Sequence, residues 1–267
     1  AVMYPQHERA TQNLVALFKE DPEVLAVILA GSLAKGLERP DSDVDAIIAV
    51  TEEKYRRLQM EGRTSECIEE GCGYEGGYFD LKYYTKDYLL AAAAHGSEPT
   101  RYAFTGSYCL FSRDAELPEI VARIPVFQKA EKEEKMLSFY AALLLYSGYF
   151  WDCSKRENRY LQVKSAAMTV LYGLRLVLED AGALFPCQKN LMKAVDALPA
   201  EKKPAGIVEK ANRFLELMTD EAKEDFVRSV LGFIAYKPPQ NLNIPLSRFI
   251  RDHEEWWYDP RPFIEEW

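Results

Sequence analysis

Histidine and cysteine are scarce in this chain. Its three histidines, His7, His95 and His253, lie far apart and make no ligand motif. Its five cysteines, Cys67, Cys72, Cys109, Cys153 and Cys187, are odd in number, scattered, and include no C-x-x-C pair. That pattern argues against a disulfide framework and a zinc site, and makes a reducing cytoplasm the expected compartment. No apolar run has the length of a membrane span, so no membrane partner is expected. The opening stretch Ala1-Val2-Met3-Tyr4-Pro5 lacks a basic segment followed by an apolar core and is not expected to act as a signal peptide. Basic charge is also in deficit, with 33 Lys and Arg against 42 Asp and Glu, a net of −9. The deficit is uneven: residues 1–127 carry 13 basic and 21 acidic side chains, a net of −8, and residues 128–267 carry 20 and 21, a net of −1. Nucleic acid favours basic surfaces and is not an expected partner. An acidic first half suits a cationic ligand, and equally serves plain solubility.

Apolar residues make up 48% of the 267 and charged residues 28%, the balance of a globular protein with room for one large domain or two modest ones. The first half alternates helix and strand signals. Residues 6–19 place Leu14, Leu17 and Phe18 on one helical face, and Asp21-Pro22 ends that helix. Residues 24–30 (VLAVILA) form an apolar run of buried-strand length, and residues 44–50 (VDAIIAV) a second. Residues 52–61 look helical and exposed. Residues 77–84 alternate, with Phe79, Leu81 and Tyr83 on one face and Tyr78, Asp80, Lys82 and Tyr84 on the other. A short Ala-rich helix over 87–95 and a last strand over 108–111 complete this half. From about 130 to 236 only helical patterns occur. In 159–180, Leu161, Met168, Leu171, Leu174 and Leu178 make one apolar stripe and Val163, Val170 and Val177 another, as in a bundle. The Pro- and aromatic-rich tail, 237–267, is expected to pack over the surface. The fold class is therefore α+β: a small mixed sheet with helices over 1–127, then a helical bundle over 128–267.

The chemistry concentrates in residues 31–45, between the first two strands. Asp43 and Asp45 are two apart, so on a strand they share a face. Two adjacent carboxylates in an apolar strand repel and are costly to desolvate unless a hard cation such as Mg2+ neutralises them. Asp41 and Ser42 read as turn-capping residues, but Asp45 does not, because apolar residues continue from it to Val50. Gly31 directly after a strand lets the backbone approach a phosphate; the Ser32 hydroxyl adds a donor, and Lys35 has the reach for a triphosphate. Asp80, facing away from Phe79 and Leu81, either completes a metal site or takes the proton of an attacking hydroxyl. The competing reading is an edge-strand Asp facing water.

Together, Gly31-Ser32, Asp43-Val44-Asp45 and Asp80 resemble, in order, the motif set of the nucleotidyltransferase superfamily that includes DNA polymerase β and the antibiotic-modifying adenylyltransferases. The second half resembles the helical bundle of the aminoglycoside and lincosamide nucleotidyltransferases, and Leu184–Leu191 a stretch there in which a lysine, here Lys189, contacts nucleotide phosphates. The resemblance implies a catalytic domain over 1–127 and a substrate-binding domain over 128–267. It implies Asp43, Asp45 and Asp80 as catalytic metal ligands for two Mg2+ ions, with Gly31, Ser32, Lys35 and Lys189 on the nucleotide. The co-substrate would be ATP or another NTP, and NMP would pass to a hydroxyl of a small molecule, an aminoglycoside-like antibiotic being one example. A protein-modifying adenylyltransferase of the antitoxin type and a non-catalytic nucleotide-binding module are the other readings. The acceptor, the base preference and the oligomeric state are not legible in the sequence.

Overall fold

A computed structural model describes residues 3–155 and 157–267; Ala1, Val2 and Arg156 lie outside it, and with them the first two residues of the stretch tested as a signal peptide. The chain divides between Val126 and Phe127 into two compact units. The first contains α1 (Pro5–Phe18), β1 (Val24–Leu29), α2 (Gly31–Lys35), β2 (Val44–Val50), α3 (Glu52–Met60), β3 (Ser65–Ile68), β4 (Phe79–Thr85), α4 (Lys86–His95), α5 (Glu98–Ala103), β5 (Tyr108–Ser112) and α6 (Leu117–Arg123). The five strands make one sheet in the order β3-β4-β2-β1-β5. β2 and β4 run parallel and the other neighbours antiparallel, so the sheet is mixed.

Strand alternation sends side chains to two different apolar layers. Val27, Leu29, Val44, Ala46, Ile48, Phe79 and Leu81 pack with Ala10 and Leu14 of α1 and Leu58 of α3. Ala26, Ile28, Ile47 and Ala49 on the opposite face pack with Leu89 and Ala92 of α4 and with Leu117, Ile120 and Val121 of α6. α3 and α4 begin where a side chain satisfies a free N–H: Thr51 accepts from Lys54 N at 3.3 Å and Thr85 from Tyr88 N at 3.1 Å. One expectation needs correction, and one strand carries no pattern that announces it. The buried stripe of α1 is His7, Ala10, Thr11 and Leu14, while Leu17 is 49% exposed. β3 carries no apolar alternation in its Ser-Glu-Cys-Ile and is a strand because it pairs with β4.

The second unit contains α7 (Lys132–Leu145), a π-helical turn (Tyr146–Phe150), α8 (Trp151–Ser154), α9 (Arg159–Ala181), α10 (Leu191–Asp196), α11 (Ile207–Leu217), α12 (Asp220–Phe233) and α13 (Asn243–His253), with no strand among the described residues. α9 touches α7, α8, α10, α11 and α12. Its residues from Thr169 to Glu179 are all buried, so the helix is enclosed all round rather than along two stripes, and Val163 is exposed. Contrary to the expectation that no apolar run has the length of a membrane span, α9 is long and apolar enough to cross one, alone among the described helices, and 67% of its most apolar window is buried in the bundle. Gly173 lets α12 come close: a Cβ there would stand 2.6 Å from the Phe226 ring. The tail does not merely cover the surface. α13, with Pro245 in its first turn where no N–H partner is lost, buries Phe249 in the core.

Candidate active site

The parallel register of β2 and β4 sets Asp45 directly beside Asp80. Both belong to the face of Ile47 and Ala49, and Asp43 stands two residues before Asp45, just ahead of the strand. One carboxylate oxygen from each of Asp43, Asp45 and Asp80 lies within 4.8 Å of the others, and all three residues are half-buried. A cavity of about 340 Å³ opens here, lined by Gly31, Lys35, Asp45, Asp80, Lys82 and Tyr84 among others. β4 lies between β3 and β2, so Asp80 is not an edge residue.

Gly31 is the one residue type its position accepts. Its φ is +65°, and a Cβ would fall 1.8 Å from Asp45 Oδ2. The Ala30 N–H donates to the Asp45 main-chain oxygen at 3.0 Å, which holds the two segments together. The turn before β2 is fixed from outside. The Tyr74 hydroxyl donates to Ser42 O at 2.6 Å, and its ring meets the buried His7 at 5.2 Å, edge to face. The Val44 N–H donates to Tyr78 O at 3.0 Å, and the neighbouring Asp43 carboxylate raises the pKa of the Tyr78 phenol.

Burial first, then the charges of Asp43 and Asp80, push the Asp45 carboxyl up to about 6, and Lys82 and Lys35 only partly oppose them. Three oxygen donors at this spacing fit a hard divalent cation such as Mg2+.

The other sequence candidates are placed as follows. Lys35 lines the cavity, with Nζ 4.6 Å from the Tyr102 ring centroid. Ser32 is half-buried in the first turn of α2. Lys189 belongs to the second unit, exposed in a 3-10 turn (Gln188–Asn190) ahead of α10. Sequence reading missed Lys82, although its place two residues after Asp80 on one strand face was a usable signal. It also missed Tyr84 and Tyr88, whose rings stack at 3.8 Å in the cavity wall; one is on a strand and one on a helix, and no single periodicity links them.

Residues 12–74 match the family model described as Polymerase beta, Nucleotidyltransferase. The first unit therefore carries a nucleotidyltransferase domain of the polymerase β type; the matched span includes Gly31, Asp43 and Asp45 and ends before Asp80. Among solved structures, the chain is similar to a nucleotidyltransferase-like protein from Exiguobacterium sibiricum 255-15, at 13% identity over 94% of this chain and 78% of that one, with a TM-score of 0.50. It also aligns with the spectinomycin adenyltransferase AAD(9) from Enterococcus faecialis, solved with ATP and spectinomycin, at 14% identity over 92% of this chain and 96% of that one, with a TM-score of 0.32. No curated protein matches the sequence.

Proposed function

We propose that the chain is a metal-dependent nucleotidyltransferase that moves NMP, by default AMP from ATP, onto a hydroxyl of a small molecule. The observation that carries this reading is the convergence of Asp43, Asp45 and Asp80 within 4.8 Å beside the glycine turn of a nucleotidyltransferase domain. These carboxylates would hold two Mg2+ ions, which when bound supply charge stabilisation to the phosphoryl oxygens and the leaving pyrophosphate. Gly31 keeps the cavity floor free of a side chain where a phosphate must approach. Ser32 donates to a phosphate oxygen, and Lys35 and Lys82 offset triphosphate charge. Asp80 takes the proton of the acceptor hydroxyl. The net charge of −8 on residues 1–127 supports an acceptor with basic groups, of which an aminoglycoside is one example, over a nucleic acid.

The test is a screen of hydroxylated small molecules with the full chain, labelled NTPs and Mg2+, scored by pyrophosphate release. Transfer to a cationic acceptor is expected, with Asp45→Asn and Asp80→Asn inactive yet folded. Activity in the double variant would end the metal-site assignment. Cationic acceptors that bind no better at low salt than neutral ones would end the charge argument.

A further inference from the structure

A second cavity, of about 430 Å³, lies wholly within the second unit, between α9, α13 and the segment that follows α13. Its size is within the range of about 300–1,000 Å³ usual for small-molecule sites. Its walls are fixed. On one side Asp252 is held through both oxygens, accepting from Ser138 Oγ at 2.6 Å and from Arg261 Nε at 2.9 Å. On the other side the buried Arg175 donates to the main-chain oxygens of Glu265, at 2.9 Å, and Trp267, at 2.8 Å. The Arg175 guanidinium is itself set between the rings of Phe139 and Phe185.

Two buried polar atoms in these walls lack partners, and one half-buried carboxylate accepts no hydrogen bond among the described residues. The His253 ring bonds Phe249 O through Nδ1, and its Nε2 is shielded from solvent with no hydrogen bond. Arg261 Nη2 is in the same state. None of the hydrogen bonds among the described residues ends on the carboxylate of Glu265, which is half-buried and whose pKa is raised by burial; exposed Lys164 is the cation that acts on it. Buried polar groups without partners are rare unless something bound completes them. Arg261 is paired with Asp252, and His253 Nδ1 donates to Phe249 O and leaves Nε2 as an acceptor, so the groups open to a ligand are two acceptors, His253 Nε2 and the Glu265 carboxylate, and one donor, Arg261 Nη2. Trp256, Phe263, Ile264 and Tyr172 supply the rest of the surface, which is apolar and aromatic.

We infer that this cavity binds a small hydrophobic amine. Its apolar body lies against Trp256 and Phe263, and its ammonium donates to Glu265 and to His253 Nε2. A neighbouring carbonyl or hydroxyl oxygen accepts from Arg261 Nη2. The inference does not rest on the transferase reading, and its test uses neither nucleotide nor divalent ion. Calorimetry on the full chain compares phenylalaninamide, which has ring, ammonium and carbonyl, with 3-phenylpropionamide, which lacks only the amine. Phenylalaninamide is expected to bind at least ~10-fold more tightly, the scale of a charge-assisted hydrogen bond. Glu265→Gln should abolish that preference. Trp256→Ala, at a 58% exposed residue whose loss leaves the core intact, should weaken both ligands by about 10-fold. No saturable binding of phenylalaninamide, equal binding of the two probes, or an undiminished preference in Glu265→Gln would each overturn the inference.

Discussion

Replacing Gly31 with alanine perturbs the proposed centre without touching a carboxylate. The added Cβ would stand 1.8 Å from Asp45 Oδ2 and 2.5 Å from Cγ, whereas real Cβ contacts essentially never fall under 3.0 Å. The carboxylate must retreat by at least about 1.2 Å, or the turn must move. A misplacement of about 1 Å at a reacting centre costs on the order of 100-fold in rate. The backbone adds its own cost, because φ at Gly31 is +65° and a left-handed L-residue loses about 1–2 kcal/mol. That strain alone would lower Tm by a few degrees in a protein of this size. Gly62 separates the two effects: its φ is +69°, yet an added Cβ meets nothing within 4 Å. Gly62→Ala is therefore expected to lose the same stability and keep full transfer, while Gly31→Ala loses transfer by about 100-fold or more. Pyrophosphate release reads the rate, calorimetry with Mn2+ reads ion binding, and thermal denaturation reads strain. Wild-type ion binding and rate in Gly31→Ala would refute the claim that this glycine sets the position of Asp45.

Asp45 titrates at about 6 in the folded chain against an ordinary 3.8, so the native state holds its proton more tightly than the unfolded state does. The resulting destabilisation is full above about pH 6, fades towards 3.8 and is absent below it. In chelator, Asp45→Asn should then stabilise by on the order of 1–3 kcal/mol at pH 8 and by nothing near the acid end; equal melting temperatures at pH 8 would contradict the repulsion. Gly173→Ala, normally a gain in a helix, should here lower stability by about 1–3 kcal/mol because its Cβ meets Phe226 at 2.6 Å, and Phe226→Leu should recover part of the loss; a raised Tm in the single variant would refute the close packing. Tyr74→Phe removes the 2.6 Å bond to Ser42 O and should cost about 1 kcal/mol and weaken divalent binding; if both measurements match wild type, that contact does not position Asp43.

The sequence made legible what local chemistry determines. Alternation in 77–84 set Asp80 opposite Phe79 and Leu81, and the Gly31–Asp45 stretch announced itself by lying between two apolar strands. Elements whose identity depends on a distant partner were hidden. β3 has four residues with no apolar pattern, and only β4 makes it a strand. α13 was obscured by Pro245, which a first turn tolerates. The exposure of Leu17 follows from how α1 lies on the sheet, which periodicity alone does not fix. The second cavity draws on residues from Tyr172 to Glu265, brought together by the bundle and by no spacing in the chain.

The parallel pairing of β2 with β4 bears on the order in which the chain folds. β1 and β2 are neighbours in sequence and pair antiparallel, whereas β4 reaches β2 only after the chain has passed through α3 and β3. Contacts closed over longer stretches of chain form later, because loop-closure entropy must be overcome first. On this reasoning β1 and β2 pair before β4 joins them, and most of the mutual repulsion of the three acids is expected in the step that brings Asp80 beside Asp45. A slip of one residue in that step would turn Asp80 towards the layer of Phe79 and Leu81 and leave no grouping at all. The acidic centre therefore exists only in chains whose sheet has closed in the correct register, and a ligand that requires all three carboxylates would bind finished molecules and pass over unfinished ones.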